Sequence, residues 1–150
     1  MEIPEHFHFS HLRQVEFSDT DLAGIMHFSN FLRFVESAEH AFFRSLGSSV
    51  QTSDGEGHRG WPRLEISCNY YKPARFEQAL KTCLRIEEVR NSGVRYGFWI
   101  FAEGAADSAP LAAGTFTIIH VALDPKTGTM QKARIPDALR QRLEHITTST

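Results

Sequence analysis

The sequence is poor in cysteine, free of long apolar runs and nearly balanced in charge. Its two cysteines, Cys68 and Cys83, fall in strand-like segments and form no CxxC pair. That pattern predicts reduced, partly buried thiols rather than a disulfide framework. No stretch approaches the ~20 consecutive apolar residues that span a bilayer. The opening Met1-Glu2-Ile3-Pro4-Glu5-His6 has neither the basic nor the apolar region of a secretion signal. The expectation is therefore a cytoplasmic chain without a membrane span. A formal net charge of −2 excludes the broad basic surface of a general nucleic-acid binder. Sixteen Lys and Arg still leave room for a local anion site. What is present is ordinary for one folded domain: 150 residues, 41% hydrophobic and 23% charged, enough for a single core.

Hydrophobic periodicity orders the chain. Val15 and Phe17 alternate with Gln14 and Glu16, which predicts a short strand over Leu12 to Phe17. Phe31, Val35, Ala38, Phe42 and Leu46 recur every three to four residues and predict one long helix over Asn30 to Leu46. Ser29 or Asn30 can cap its start and Gly47 its end. Ser48 to Gly60 then reads as a loop. Alternation returns over Leu64 to Tyr70, Leu80 to Ile86 and Val94 to Ile100, with a hairpin turn at Asn91-Ser92-Gly93. Ala113 to Leu123 is apolar on both faces and reads as one central strand. A turn at Asp124 to Gly128 follows, and Ile135-Pro136-Asp137 opens a short helix carrying Leu139, Leu143 and Ile146. One long helix against an antiparallel sheet is an α+β architecture, and the helix's wide apolar face suggests a sheet curled around it.

The densest group of unusual residues runs from Phe17 to Phe31, with Asp19, Asp21, Gly24 and His27 between a strand end and a helix start. The first amides of a helix have no partners within it and carry partial positive charge. A carbonyl oxygen placed on them would be polarised, as acyl transfer requires. Asp21 could then attack the acyl carbon or deprotonate a water. The same residues also suit plain turn and capping roles, with Gly24 permitting a tight bend.

Phe17-Ser18-Asp19-Thr20-Asp21-Leu22-Ala23-Gly24-Ile25, with Ser29-Asn30-Phe31-Leu32-Arg33-Phe34-Val35-Glu36 after it, resembles the signature of the 4-hydroxybenzoyl-CoA thioesterase-like hotdog family. The segment Ser67-Cys68-Asn69-Tyr70-Tyr71-Lys72-Pro73-Ala74 and the order of elements extend the likeness along the chain. The resemblance implies a hotdog domain, a curved antiparallel sheet wrapped around the long helix, spanning residues 1–150. It implies hydrolysis of an acyl-CoA to the free acid and CoA, with Asp21 as nucleophile or general base. The backbone amide at Phe28 would polarise the thioester carbonyl, with Gly24 permitting the approach. Asp19 matches a loop-organising position, and Glu36 an acidic helix position behind the site. Relatives often carry Tyr or His seven residues after the Asp, where this chain has Phe28; the histidine, His27, falls one place earlier. Arg90, Ser92, Lys132 and Arg134 match regions near the CoA phosphates, where Arg and Lys suit an anion. The resemblance also implies no metal or organic cofactor, and a homodimer commonly paired into a homotetramer.

Two other readings of function stay open beside this one. They are a thioesterase acting on acyl carrier protein, and a non-catalytic hotdog module that binds acyl groups. His6, His8 and His11 form an H-x-H-x-x-H pattern but lack a partner at a familiar metal spacing, so a surface strand is the expectation. Among the twelve phenylalanines, helical spacing assigns Phe31 and Phe42 to the core, while Phe28 or Phe34 could face a pocket.

Overall fold

The structure is a computed structural model that describes residues 1–54, 57–104 and 109–149. In chain order the elements are β1 (Phe9–Gln14), a 3-10 turn (Phe17–Asp19), α1 (Asn30–Ser45), β2 (Gln51–Asp54) and β3 (Gly57–Gly60). They continue with β4 (Arg63–Tyr70), β5 (Ala79–Val89), β6 (Gly93–Ala102), β7 (Ala112–Ile119), β8 (Val121–Leu123), β9 (Met130–Lys132) and α2 (Asp137–Thr148). Five strands form an antiparallel sheet in the order β1-β5-β6-β7-β4, and four short ones form a second in the order β2-β3-β8-β9. α1 lays Phe31, Phe34, Val35, Ala38, Phe42 and Phe43 on the larger sheet, against Leu80, Leu84, Tyr96, Phe98 and Phe116. Burying aliphatic and aromatic side chains of this size stabilises by about 1.5–3 kcal/mol each, so this one layer contact dominates the fold. Phe34 belongs to it, 1% exposed under the Arg13 guanidinium.

Four expectations need correction. The first strand ends at Gln14, because Asp19 accepts the Glu16 N–H at 2.9 Å and turns Phe17 outward into the 3-10 turn. The segment 48–60 is not all loop: β2 and β3 form a polar hairpin held by backbone pairing, which leaves no apolar alternation to read. Residues 55 and 56 of that segment lie outside the described residues. The run Ala113 to Leu123 breaks at His120, whose N–H donates to Ser92 and whose carbonyl accepts from Ala133, so β7 and β8 enter different sheets. In β4 a register shift between Arg63 and Glu65 turns Leu64 to solvent, against the expected inward alternation. The long helix keeps its expected start, and Gly47 takes the left-handed conformation after it, φ +73°. Ser29 makes no side-chain cap.

Cys68 on β4 and Cys83 on β5 are separated by β7 and β6. At ~4.8 Å per strand they stand roughly 14 Å apart, beyond the reach of a disulfide, and both are free thiols. Burial pushes the Cys83 thiol up to about 11 and the Cys68 thiol upward as well.

The core holds an ion pair that the apolar pattern hides. Glu39 on α1 is 2% exposed and accepts from Arg63 Nη1 at 3.0 Å. Burial pushes its carboxyl up to about 7, although Arg63 pulls the other way. A folded-state value above the unfolded 4.5 means that the folded chain holds a proton the unfolded chain has lost. The stabilisation is complete below the unfolded value and is lost as pH rises through about 7. Between pH 5 and 8 Glu39→Gln should therefore gain on the wild type by roughly 1–3 kcal/mol. Denaturant melts at the two pH values check this, and a pH-independent difference would contradict it.

Candidate functional site

The segment between the 3-10 turn and α1 is held by backbone bonds that converge on Asp19. Its carbonyl accepts the His27 N–H at 2.9 Å and the Asn30 side-chain amide at 2.8 Å. Its own carboxylate is buried, accepting from Glu16 and lying 3.8 Å from Arg13. Asp19 thus ties the strand end, the loop and the first residue of α1 together.

Asp21 opens a tight turn. Its carbonyl accepts the Gly24 N–H at 3.0 Å, its N–H donates to Ile25 at 2.9 Å, and its Oδ1 accepts the Ala23 N–H at 2.8 Å. Gly24 sits at φ +78°, a conformation that L side chains rarely adopt. Its contribution is therefore to the turn that aims Asp21. Thr20 bridges Met26, and Ile25 bridges Arg75, so the turn is anchored on both sides.

Past that turn, the chain reaches α1 through His27, Phe28 and Ser29. The Ser29 N–H donates to His27 Nδ1 at 3.2 Å, and the Ser29 hydroxyl lies 2.7 Å from the same nitrogen. An Nδ1 that accepts an N–H carries no proton, so a neutral ring holds its proton on Nε2. The ring stacks on Phe28 at 4.5 Å. His27 thus holds Ser29, the residue before α1. No group among the described residues accepts the Phe28 N–H. The Phe28 carbonyl accepts from the Tyr70 hydroxyl at 3.1 Å.

Asp21 and Phe28 line one cavity of about 450 Å³, with Ile25, Met26, Phe31, Tyr70, Tyr71, Lys72 and Pro73. Phe31 is thus both core, at 3% exposure, and cavity wall. The ring of Tyr70 meets Phe31 at 5.3 Å and Phe28 at 6.4 Å, both edge-to-face. Sequence reasoning did not single out Tyr70. Its alternation marked it as a strand residue, and only the Tyr70-Tyr71-Lys72-Pro73 run hinted at more.

Glu36, exposed on α1, does not line this cavity within one protomer. Arg90, Ser92, Lys132 and Arg134 gather around a second point. Ser92 accepts from His120, Ile135 donates to Asn91, and Lys132 pairs with Val121. Arg90 pairs with Glu88 at 3.2 Å and Arg134 with Asp137 at 3.2 Å. This group lies by the Arg63 end of β4, since Gly93 pairs Ile119 and Arg63 pairs Ile118. The cavity lies by Tyr70 at the other end, seven residues or roughly 23 Å away. One protomer does not bring the two together. Among the described residues no group of three or more His, Cys, Asp or Glu is placed to hold a metal ion. His8 Nδ1 instead accepts the Ile86 N–H at 2.9 Å. No described helix is long and apolar enough to cross a membrane.

The sequence pattern of the thioesterase-like superfamily matches residues 15–143. A protein of Aquifex aeolicus strain VF5, whose name gives a provisional esterase assignment, is 31% identical over 98 residues, 65% of this chain and 76% of its own. A 1,4-dihydroxy-2-naphthoyl-CoA hydrolase of Synechocystis is 30% identical over 80 residues, 53% of this chain and 58% of that protein. The crystal structure of a 1,4-dihydroxy-2-naphthoyl-CoA thioesterase from Synechocystis superposes with a TM-score of 0.77 at 24% identity, covering 90% of this chain and 94% of that one. With the superfamily pattern running from β1's end into α2 and the same architecture in its solved neighbours, this chain belongs to the thioesterase-like superfamily and has the hotdog fold.

Proposed function

We propose that this protein hydrolyses an acyl-CoA thioester to the free acid and CoA. The observation that carries the reading is that Asp21 and Phe28, whose N–H no group among the described residues accepts, line one cavity. The thioester carbonyl oxygen accepts from that N–H at the start of α1, and the developing negative charge falls where the helix end is positive. Asp21, held at Oδ1 by Ala23, addresses the carbonyl carbon. As nucleophile its oxygen bonds that carbon, the thiolate leaves, and water then cleaves the resulting anhydride. As general base it takes a proton from water, hydroxide adds to the carbon, and the departing thiolate takes up the proton. The edges and faces of Phe28, Phe31 and Tyr70 suit an aromatic or a short to medium acyl group.

Tyr70 fixes the peptide on which this depends, through its bond to the Phe28 carbonyl. Removing one such bond is worth about 1 kcal/mol. Tyr70→Phe should accordingly lower kcat about fivefold and leave KM nearly unchanged, as steady-state kinetics would show.

The basic group around Arg90 and Lys132 reaches the site only in an assembly. β4 pairs β7 on one side, and among the described residues nothing pairs its other edge, with Leu64 and Tyr70 exposed. Antiparallel pairing of two β4 edges sets the Tyr70 end of one protomer beside the Arg63 end of the other. A homodimer built this way, and tetramers of such dimers, would offer Arg90, Ser92, Lys132 and Arg134 of one subunit to the CoA entering the other's cavity. The free thiols suit a reducing, cytoplasmic setting. Thiol release from a panel of aromatic and aliphatic acyl-CoAs tests the reading. Turnover favouring one acyl class is expected; no release from any member by folded protein would overturn it.

A further inference from the structure

We infer that the chain carries a second ligand site, for a small organic acid, in the cavity between the end of α1, Trp61 and α2. This cavity has about 270 Å³ and is lined by Leu46, Ser49, Trp61, His120, Leu139 and Arg142 among others. It lies at the C-terminal end of α1, while Asp21 serves the N-terminal end. At 1.5 Å per residue the helix separates them by roughly 24 Å, and the inference does not depend on the proposed hydrolysis.

His120 points to a ligand. It is 4% exposed, and its Nδ1 lies 3.1 and 3.2 Å from the carbonyl oxygens of Ala133 and Arg134. Two acceptors require the proton on Nδ1. Nε2 is then the remaining polar atom of a ring that lines the cavity, and nothing among the described residues pairs with it. A neutral imidazole with its proton on Nδ1 keeps Nε2 as an acceptor. The ring cannot turn away cheaply, because Trp61 packs on it at 4.8 Å and Phe43 backs Trp61 at 5.2 Å.

The lining defines the ligand's chemistry. Among the described residues it contains no Asp or Glu. Arg142 anchors one guanidinium nitrogen on the Leu46 carbonyl, which leaves the rest of its donor fork for an anion. The Ser48, Ser49 and Thr52 hydroxyls add neutral polar groups, and Leu46, Trp61, Pro136 and Leu139 supply an apolar wall. A carboxylic acid satisfies both halves: its oxygens meet Arg142 and His120 Nε2, the two sharing one proton, and its apolar body lies on Trp61. The volume suits a single ring or a short chain and is far too small for a CoA nucleotide.

The two tryptophans make the test site-resolved, since Trp61 lines this cavity and Trp99 is buried in β6. Benzoate or hexanoate titrated into ¹⁵N-labelled full-length protein should shift the Trp61 indole signal saturably and leave Trp99 in place. Arg142→Gln and His120→Asn should each weaken that binding about tenfold or more. His120→Asn keeps a donor where Nδ1 stands and loses Nε2; Arg142 is exposed, so its variant keeps the fold if the His120 variant does not. Inorganic phosphate should bind much more weakly than benzoate. The inference fails if Trp61 does not move, if both variants bind as the wild type does, or if phosphate equals benzoate. It also fails if the acids perturb only Phe28 and Tyr70. Since binding is the readout, absence of thioester hydrolysis would not affect the outcome.

Discussion

Asp21→Asn is expected to lower kcat by roughly 10²- to 10⁴-fold, the usual loss when a positioned acid–base group is removed. KM should move little, because the cavity walls and the Phe28 N–H that receive the substrate are untouched. The amide is isosteric, and its oxygen can still accept the Ala23 N–H that holds the present carboxylate. Asp21 makes no ion pair among the described residues and is exposed. The melting temperature and the oligomer should therefore be those of the wild type. A fall in kcat together with a lowered melting temperature would mean that the residue shapes the turn rather than the chemistry. Steady-state kinetics and a thermal melt on one preparation separate the two.

The largest effect on stability is expected at Gly114. It sits in the middle of β7, paired with Cys68 on one side and Phe98 on the other. A methyl group there would overlap the Ser67 carbonyl oxygen of β4 and approach the Phe98 ring to 2.9 Å. A ring can rotate, but a ladder carbonyl cannot move without parting the strands. Gly114→Ala should cost about 3 kcal/mol or more, a fall of roughly 10 °C in melting temperature for a chain of this length. Because β4 also carries Tyr70, activity should fall further than Tyr70→Phe alone produces. A variant melting within a degree or two of the wild type would show that β7 and β4 are not so closely opposed.

The amphipathic helix and strands such as β5 were legible because packing one face against the core writes its period into the residues. Phe31, Val35, Ala38 and Phe42 follow one period, and Leu80, Thr82, Leu84 and Ile86 the other. β2 and β3 left no such trace, since a polar strand pair is held by backbone bonds that any residues make. The break at His120 was invisible for a related reason. Apolar residues stand on both sides of it, and only long-range bonds to Ser92 and Ala133 turn the chain. In the site, Asp21 and Gly24 stood out as local oddities in an apolar surrounding. Tyr70 did not, because its partner, the Phe28 carbonyl, is 42 residues away. Glu39 and Arg63 escaped for the same reason, a buried pair across 24 residues that neither helix nor strand period predicts. The basic group was legible as residue types, but its distance from Asp21 belongs to the sheet register.

The most direct test of the account is thiol release from the best acyl-CoA of the panel by wild type and Asp21→Asn, at equal concentration and with matched melting temperatures. The account predicts steady release by the wild type and background release by the variant. Equal rates would remove Asp21 from the chemistry and contradict the account.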